Sequence, residues 1–160
     1  MFGFYKKISV NNKIVNKFLR VIESDEEGKE SGPISKTSWN TGGKIRGDLN
    51  KLFEEYLRKK IERRLGKVKV LDLWYQTYRS NSGSFHDWHI HPDSDYSITF
   101  FIKMKKDKSL LTEFNINGKI KKPWFGVGDC VIFDSRIVHR GPPNNTDSDK
   151  IIVSSNLIVQ

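Results

Sequence analysis

The sequence predicts a mainly β fold preceded by helices, an α+β chain whose second half closes into a sandwich or barrel. Helical spacing of apolar residues is confined to the first 66 residues. From Lys67 onward the pattern becomes short β-branched and aromatic runs, punctuated by Gly, Pro and Asn turns. A chain of 160 residues fits one domain with a single core. Residues 1–66 are expected as helices and a loop packed on the barrel, and 67–160 as the barrel itself.

Residues 11–23 carry Ile14, Val15, Phe18, Leu19 and Ile22 at helical spacing, with Asn11 or Asn12 as cap. Residues 24–47 are polar and Gly-rich and read as a long loop. Residues 48–65 give the clearest helix. Leu49, Leu52, Phe53, Tyr56, Leu57, Ile61 and Leu65 share a face, with Asp48 as cap and Gly66 as stop. Strands are expected near 67–78, 96–104, 110–116, 119–121, 130–134 and 150–159. Asn117-Gly118 signals a type I′ hairpin, and Gly141-Pro142-Pro143-Asn144-Asn145 reads as a turn.

No apolar run approaches the roughly 18–20 residues of a membrane span. MFGFYKKISVNNK has no apolar core before a cleavage site, so no signal peptide is read. The single cysteine, Cys130, excludes an internal disulfide and is expected to be buried and inert. A cytoplasmic location is expected, the host cytoplasm if the chain is phage-encoded. The net charge of +9 is spread over several segments. It suits a solvated basic surface and leaves nucleic acid or an anionic substrate open.

Three of the four histidines, His86, His89 and His91, fall within six positions, and His139 follows Cys130–Asp134. In a strand, residues two apart face one side, so His89 and His91 are expected to project together. A third metal ligand would then come from a distant strand, and His139 suits a loop at the barrel mouth. His86 and Asp87 are expected in a solvated loop. Trp39, Trp74, Trp88 and Trp124 suit core packing or a substrate cleft.

Two segments carry a resemblance: "WYQTY…G…HDWHIHPDSDYSITFFIK" and "GDCVIFDSRIVHRGPPNNTDSDKIIVSSN". Together they resemble the Fe(II)- and 2-oxoglutarate-dependent oxygenases, most like the bacterial and phage-type branch with His-x-His-Pro. The matching positions are Trp74, Gly83, His89, His91, Pro92, Ser97, Gly128, Phe133, Ser135, His139, Lys150 and Ser154 to Asn156. SWNTGG also resembles the Gly-Gly loop before that branch's main helix. The resemblance spans residues 38–157. It implies a double-stranded β-helix, or jelly roll, and a hydroxylase using Fe(II), 2-oxoglutarate and O₂.

The family's usual iron ligands are two histidines and a carboxylate, and this chain departs from that pattern. One reading takes His89, His91 and His139. A second slides the frame, so that His91 and Asp93 supply His-x-Asp. A third leaves His89 and His139 without a carboxylate. The Gly83 spacing and the strand start after Pro92 favour the three-histidine set, which would favour anionic co-ligands. For the distal 2-oxoglutarate carboxylate the resemblance points to Lys150, eleven residues after His139. Arg140 is the rival cation, and Tyr78 is a candidate hydrogen-bond donor. Thr99 and Ser154 are weaker candidates.

Two other readings remain. The Gly83, His89, His91, Asp95 spacing is similar to a cupin motif, although the Gly after the acidic residue is missing and Ser135-Arg136-Ile137-Val138 replaces the second motif's Pro-x-Gly. A metal-free jelly-roll binding protein is the third. An inward basic residue at Lys150 would favour 2-oxoglutarate. The primary substrate is expected to be anionic or macromolecular.

Overall fold

A computed structural model of the chain describes residues 3–41 and 43–160. In chain order the elements are β1 (Tyr5–Ser9), α1 (Asn12–Glu23), β2 (Lys29–Ser31), β3 (Ile34–Thr37), α2 (Gly43–Tyr56), α3 (Arg58–Leu65), β4 (Val68–Tyr78) and β5 (Ser84–His89). There follow β6 (Tyr96–Lys103), β7 (Glu113–Ile116), β8 (Lys119–Lys121), β9 (Asp129–Asp134), β10 (Val138–Asn144) and β11 (Lys150–Val159). Seven strands form one sheet in the order β1-β9-β6-β11-β4-β3-β2, and four form a second in the order β5-β10-β7-β8. Every pairing is antiparallel. This is a jelly roll with the helices on the outer face of the larger sheet.

Strand alternation builds two cores on that sheet. Leu73, Tyr75, Ile98, Phe100, Ile102, Cys130, Ile132, Val153 and Leu157 face outward and pack with Val15, Phe18, Leu49, Phe53 and Ile61 of the helices. Phe101, Val131, Phe133 and Ile152 face inward and meet Phe114 of the smaller sheet. The inward face also carries Gln76, Tyr78, Ser97, Thr99, Lys150, Ser154 and Asn156, all buried. An apolar half and a polar half thus share one sandwich interior. No helix among the described residues is long and apolar enough to cross a membrane.

Helix α1 matches its expectation, with the Asn11 side chain accepting from the Ile14 amide at 3.1 Å. The second helix begins earlier than expected, at Gly43, and Asp48 lies inside it instead of capping it. Its apolar stripe extends upstream to Ile45, giving buried residues at 45, 49, 53, 57 and 61. A spacing of four overshoots the 3.6-residue turn, rotating the stripe by about 40° per step. The irregular residue Leu57 (φ −111°, ψ −43°) separates α2 from α3, and Ile61 still faces the sheet. Gly66 ends α3 as predicted. Within SWNTGG, Gly42 lies outside the described residues.

The long polar loop contains the β2–β3 hairpin, whose residues Lys-Glu-Ser and Ile-Ser-Lys-Thr lack the apolar alternation that marks a strand. Strands β1, β5 and β10 were likewise not predicted as strands. The Gly141-Pro142-Pro143-Asn144 segment is part of β10, with register shifts on both sides of Gly141 that accommodate the two prolines. The 110–116 strand shortens to Glu113–Ile116, and Leu110 belongs to a 3₁₀ turn. Asn117 and Gly118 adopt φ 52° and 80° and close β7 onto β8, as a type I′ turn requires.

Candidate metal centre

The smaller sheet places two of the histidines. His89 ends β5, His139 is the second residue of β10, and the two are direct register partners. His139 therefore sits in a strand, not in a loop. His91 lies beyond the end of β5, so strand alternation is not what brings it in. Its chain is turned by backbone bonds: the His91 amide donates to the Ser135 carbonyl at 2.8 Å, and the Ser135 amide to the Asp95 carbonyl at 3.1 Å. Ser135 Oγ bonds Ser94 Oγ at 2.7 Å and Ser97 Oγ at 3.1 Å, and Ser97 donates to Asn156 at 3.0 Å. This buried polar chain fixes the turn that delivers His91.

One ring nitrogen from each of His89, His91 and His139 lies within 4.8 Å of the others. His89 Nδ1 bonds the Asp87 carbonyl at 2.6 Å, and His139 Nδ1 bonds the Ile137 carbonyl at 2.8 Å. A carbonyl only accepts, so each Nδ1 carries the proton and each Nε2 keeps a free lone pair. Burial, then repulsion from neighbouring rings, lowers the His139 pKa to about 3 and that of His91 to about 4; burial also lowers that of His89. All three rings are neutral near pH 7. Three neutral imidazoles with convergent lone pairs fit a first-row divalent metal such as Fe(II). Asp93 is exposed in the turn after Pro92 and is not part of the convergent group.

The histidines open into the polar half of the sandwich interior. Lys150 lines the same cavity and is 1% exposed, not a solvated strand-start lysine. Its Nζ donates to the Leu110 carbonyl at 2.7 Å and lies 5.3 Å from the Tyr78 ring centre. Burial pushes its pKa down to about 7, although Glu113 acts to raise it. Tyr78 is also buried, and its hydroxyl donates to Gln76 Oε1 at 3.1 Å. Arg140 lines the cavity too, but it is ion-paired with Glu113 and stacks 4.9 Å over Trp88. Glu113 also pairs with Lys122. The charge of Arg140 is thus matched, while Lys150 has no carboxylate within ion-pair distance among the described residues. The open space is narrow, about 30 Å³, so a dicarboxylate would fit only with movement of lining side chains.

His86, expected in a solvated loop, is half-buried on β5 and stacks on His89, and its Nδ1 lies 3.3 Å from Gln76 Nε2. Sequence reasoning missed Gln76 entirely. Its one signal was an inward position on β4 between Trp74 and Tyr78. A second space of about 240 Å³ adjoins the histidines and is bounded by Ile34, Thr37, Trp39 and Trp74. Trp39 is 40% exposed and meets Trp74 edge to face at 4.5 Å. Trp124 is exposed and lines neither space.

This architecture is shared with solved structures. The viral collagen prolyl hydroxylase of Paramecium bursaria Chlorella virus-1, in its 2OG complex, aligns over 98% of this chain and 96% of its own, with TM-score 0.62 and 18% identity. The chain has the fold of the 2-oxoglutarate oxygenases. HygX of Streptomyces hygroscopicus, with nickel, 2-oxoglutarate and hygromycin B bound, aligns over 98% of this chain and 83% of its own at TM-score 0.77 and 8% identity. A Pseudomonas putida prolyl-4-hydroxylase aligns over 98% and 93% at TM-score 0.65 and 13% identity. No protein-family model matches the sequence, and no curated protein sequence matches it. The oxygenase fold persists here while sequence identity has fallen to 18% or less among these three.

Proposed function

We propose that the chain is a non-haem iron oxygenase that couples oxidative decarboxylation of 2-oxoglutarate to hydroxylation of a second substrate. The observation that carries this reading is the pairing of two features in one cavity. Three neutral histidine nitrogens converge on its wall, and a buried lysine with no carboxylate partner among the described residues lies within it. When bound, Fe(II) with 2-oxoglutarate and O₂ would supply a two-electron oxidation of a C–H bond, yielding succinate, CO₂ and the alcohol.

The chain's own residues divide the work. His89, His91 and His139 would hold the metal, with the carbonyls of Asp87 and Ile137 fixing the orientation of two rings. No ligand in this set carries a negative charge, so anionic oxygen donors of 2-oxoglutarate are favoured. Lys150 would meet the distal carboxylate as a point charge, exchanging its bond to Leu110 for the stronger charge-assisted one. Tyr78 and Gln76 line the cavity that Lys150 shares with the three histidines. Trp39 and Trp74 would wall the substrate and keep water from the reacting carbon.

A cupin-type enzyme would have no use for a lysine buried opposite its metal, so Lys150 favours the 2-oxoglutarate reading. The test is anaerobic addition of Fe(II) with and without 2-oxoglutarate. A weak visible charge-transfer band that needs both components is expected. Failure to form it with metal-competent protein would sink the proposal.

A further inference from the structure

A second feature lies at the far edge of the larger sheet. Strand β1 and helix α3 flank an open groove of about 410 Å³. Lys7 and Ser9 line it from the strand, and Lys60, Arg63 and Arg64 from the helix. All five are exposed, and the one apolar lining residue, Ile8, is buried. Lys6 Nζ donates to the Arg64 carbonyl at 3.0 Å and ties the two walls together.

The charge of this groove is poorly neutralised from within. Its lining contains no carboxylate. Lys7 lies 3.9 Å from Asp129, a contact of small worth at this exposure. Lys60, Arg63 and Arg64 form no ion pair among the described residues, and Glu62 turns instead to Arg58 at 3.3 Å. The C-terminal end of α3 favours cations, which accounts for Arg63 and Arg64 singly. It does not account for facing them with a lysine-bearing strand, because that raises the like-charge density of one groove.

We propose that this groove binds the phosphate backbone of double-stranded nucleic acid without regard to sequence. Closely spaced lysine and arginine side chains on two walls match a rail of phosphates, and the guanidinium fork matches each phosphate. No aromatic side chain lines the groove, so it offers no stacking platform for the bases of a single strand. It also lacks the exposed apolar residues by which a basic helix enters a lipid surface. The groove is distinct from the metal centre. β1 and β3 stand five strand spacings apart in the sheet, about 24 Å, and β3 walls the entrance beside the histidines. Nucleic acid bound here localises the protein and need not be the oxidised substrate.

The test uses metal-free protein, so its outcome is independent of the oxygenase reading. Binding of a labelled mixed-sequence DNA duplex is followed by fluorescence anisotropy as salt is varied. Four phosphate contacts predict a log–log salt slope of about −3.6, or roughly a hundredfold loss of affinity between about 50 and 200 mM salt. Lys60→Glu/Arg63→Glu/Arg64→Glu should cut the slope to about −1 and weaken low-salt binding at least tenfold. The charge-preserving Lys60→Arg/Arg63→Lys/Arg64→Lys should retain binding. Thermal melting and far-ultraviolet circular dichroism verify that each variant is folded. If the charge reversal fails to fold, Arg63→Gln and Arg64→Gln read the same slope singly. Absence of duplex binding, an unchanged slope in the neutralised variants, tighter binding of single strands, or binding only to phosphatidylserine vesicles would each overturn the proposal.

Discussion

His86 lies face to face on His89, with ring centres 3.8 Å apart and planes 19° from parallel. The contact gives the fourth histidine a structural job. Tyr78 donates to Gln76 Oε1, which leaves Gln76 Nε2 to donate to His86 Nδ1. His86 is therefore fixed in one tautomer and clamps the ring of a proposed metal ligand. His86→Ala should weaken Co(II) or Fe(II) affinity about tenfold or more, the usual effect of removing a group that orients a ligand. Metal titration followed by Co(II) absorbance checks this. An unchanged dissociation constant would reduce His86 to cavity lining.

The ligand set separates by substitution. His89→Ala, His91→Ala and His139→Ala should each abolish tight metal binding and succinate formation. Asp93→Asn should leave both within about twofold, since Asp93 is exposed and outside the cluster. Loss of metal in Asp93→Asn with retention in His91→Ala would reassign the third ligand.

Lys150 should couple stability and binding in opposite directions. Replacing a buried, unpaired cation by an apolar side chain of similar length removes a desolvation cost. Lys150→Met should therefore raise the melting temperature while abolishing the 2-oxoglutarate-dependent absorption band. A variant less stable than the parent would show that the bond to Leu110 outweighs that cost.

The same lysine makes stability pH-dependent. Its pKa is lowered from the ordinary 10.5 to about 7 by burial in the folded state. Between about pH 7 and 10.5 the unfolded chain binds the proton and the folded chain does not, so stability from this group rises with pH across that window. Lys150→Met should flatten the rise, measured by denaturant unfolding at several pH values. Affinity for 2-oxoglutarate should run the other way and fall above about pH 7, as the lysine loses its charge.

Glu113 is 4% exposed and is shared by Arg140 and Lys122. Burial acts to raise its pKa, but the bonds to the two cations outweigh it and hold the carboxyl below its usual range. Glu113→Gln should destabilise the fold by about 1–3 kcal/mol by leaving half-buried Arg140 without its counter-charge. It should also free that guanidinium, now stacked over Trp88, to turn toward the cavity it lines. Urea unfolding and 2-oxoglutarate titration read the two effects separately.

Gly128 precedes β9 with φ 92°, and a Cβ there would lie 2.6 Å from the Val10 carbonyl oxygen. The two segments are held close by backbone bonds: the Val10 amide donates to the Gly128 carbonyl at 2.9 Å, and the Gly128 amide to the Phe101 carbonyl at 2.9 Å. Gly128→Ala should cost about 1–3 kcal/mol from left-handed strain, with more from the clash. A melting temperature equal to that of the parent would contradict the close approach of β1 to β9.

Much of this architecture is local information. The alternation of Ile98, Phe100 and Ile102 against Ser97, Thr99 and Phe101 already describes a strand with two different faces. The Asn117-Gly118 turn and the spacing of Val15, Phe18 and Ile22 are equally local. Strands such as β2 and β10 were illegible for the opposite reason. Lys-Glu-Ser and a Pro-Pro segment become strands only because neighbouring strands offer hydrogen bonds to them.

For the candidate site, the available side chains were legible locally: four histidines in two segments, and a lysine opening an apolar strand. The side-chain period of two also sufficed to set Lys150 and Ser154 on one face of β11. Tertiary structure decided which of these meet. His139 faces His89 because β10 pairs with β5, and His91 arrives through a turn tied to Ser135, far away in the chain. Arg140 is matched by Glu113 across the β7–β10 pairing, which leaves Lys150 as the unmatched cation. The physical reason is common to all three. Strand periodicity acts between neighbours in sequence, whereas register and ion pairing act between strands whose partnership no local pattern specifies.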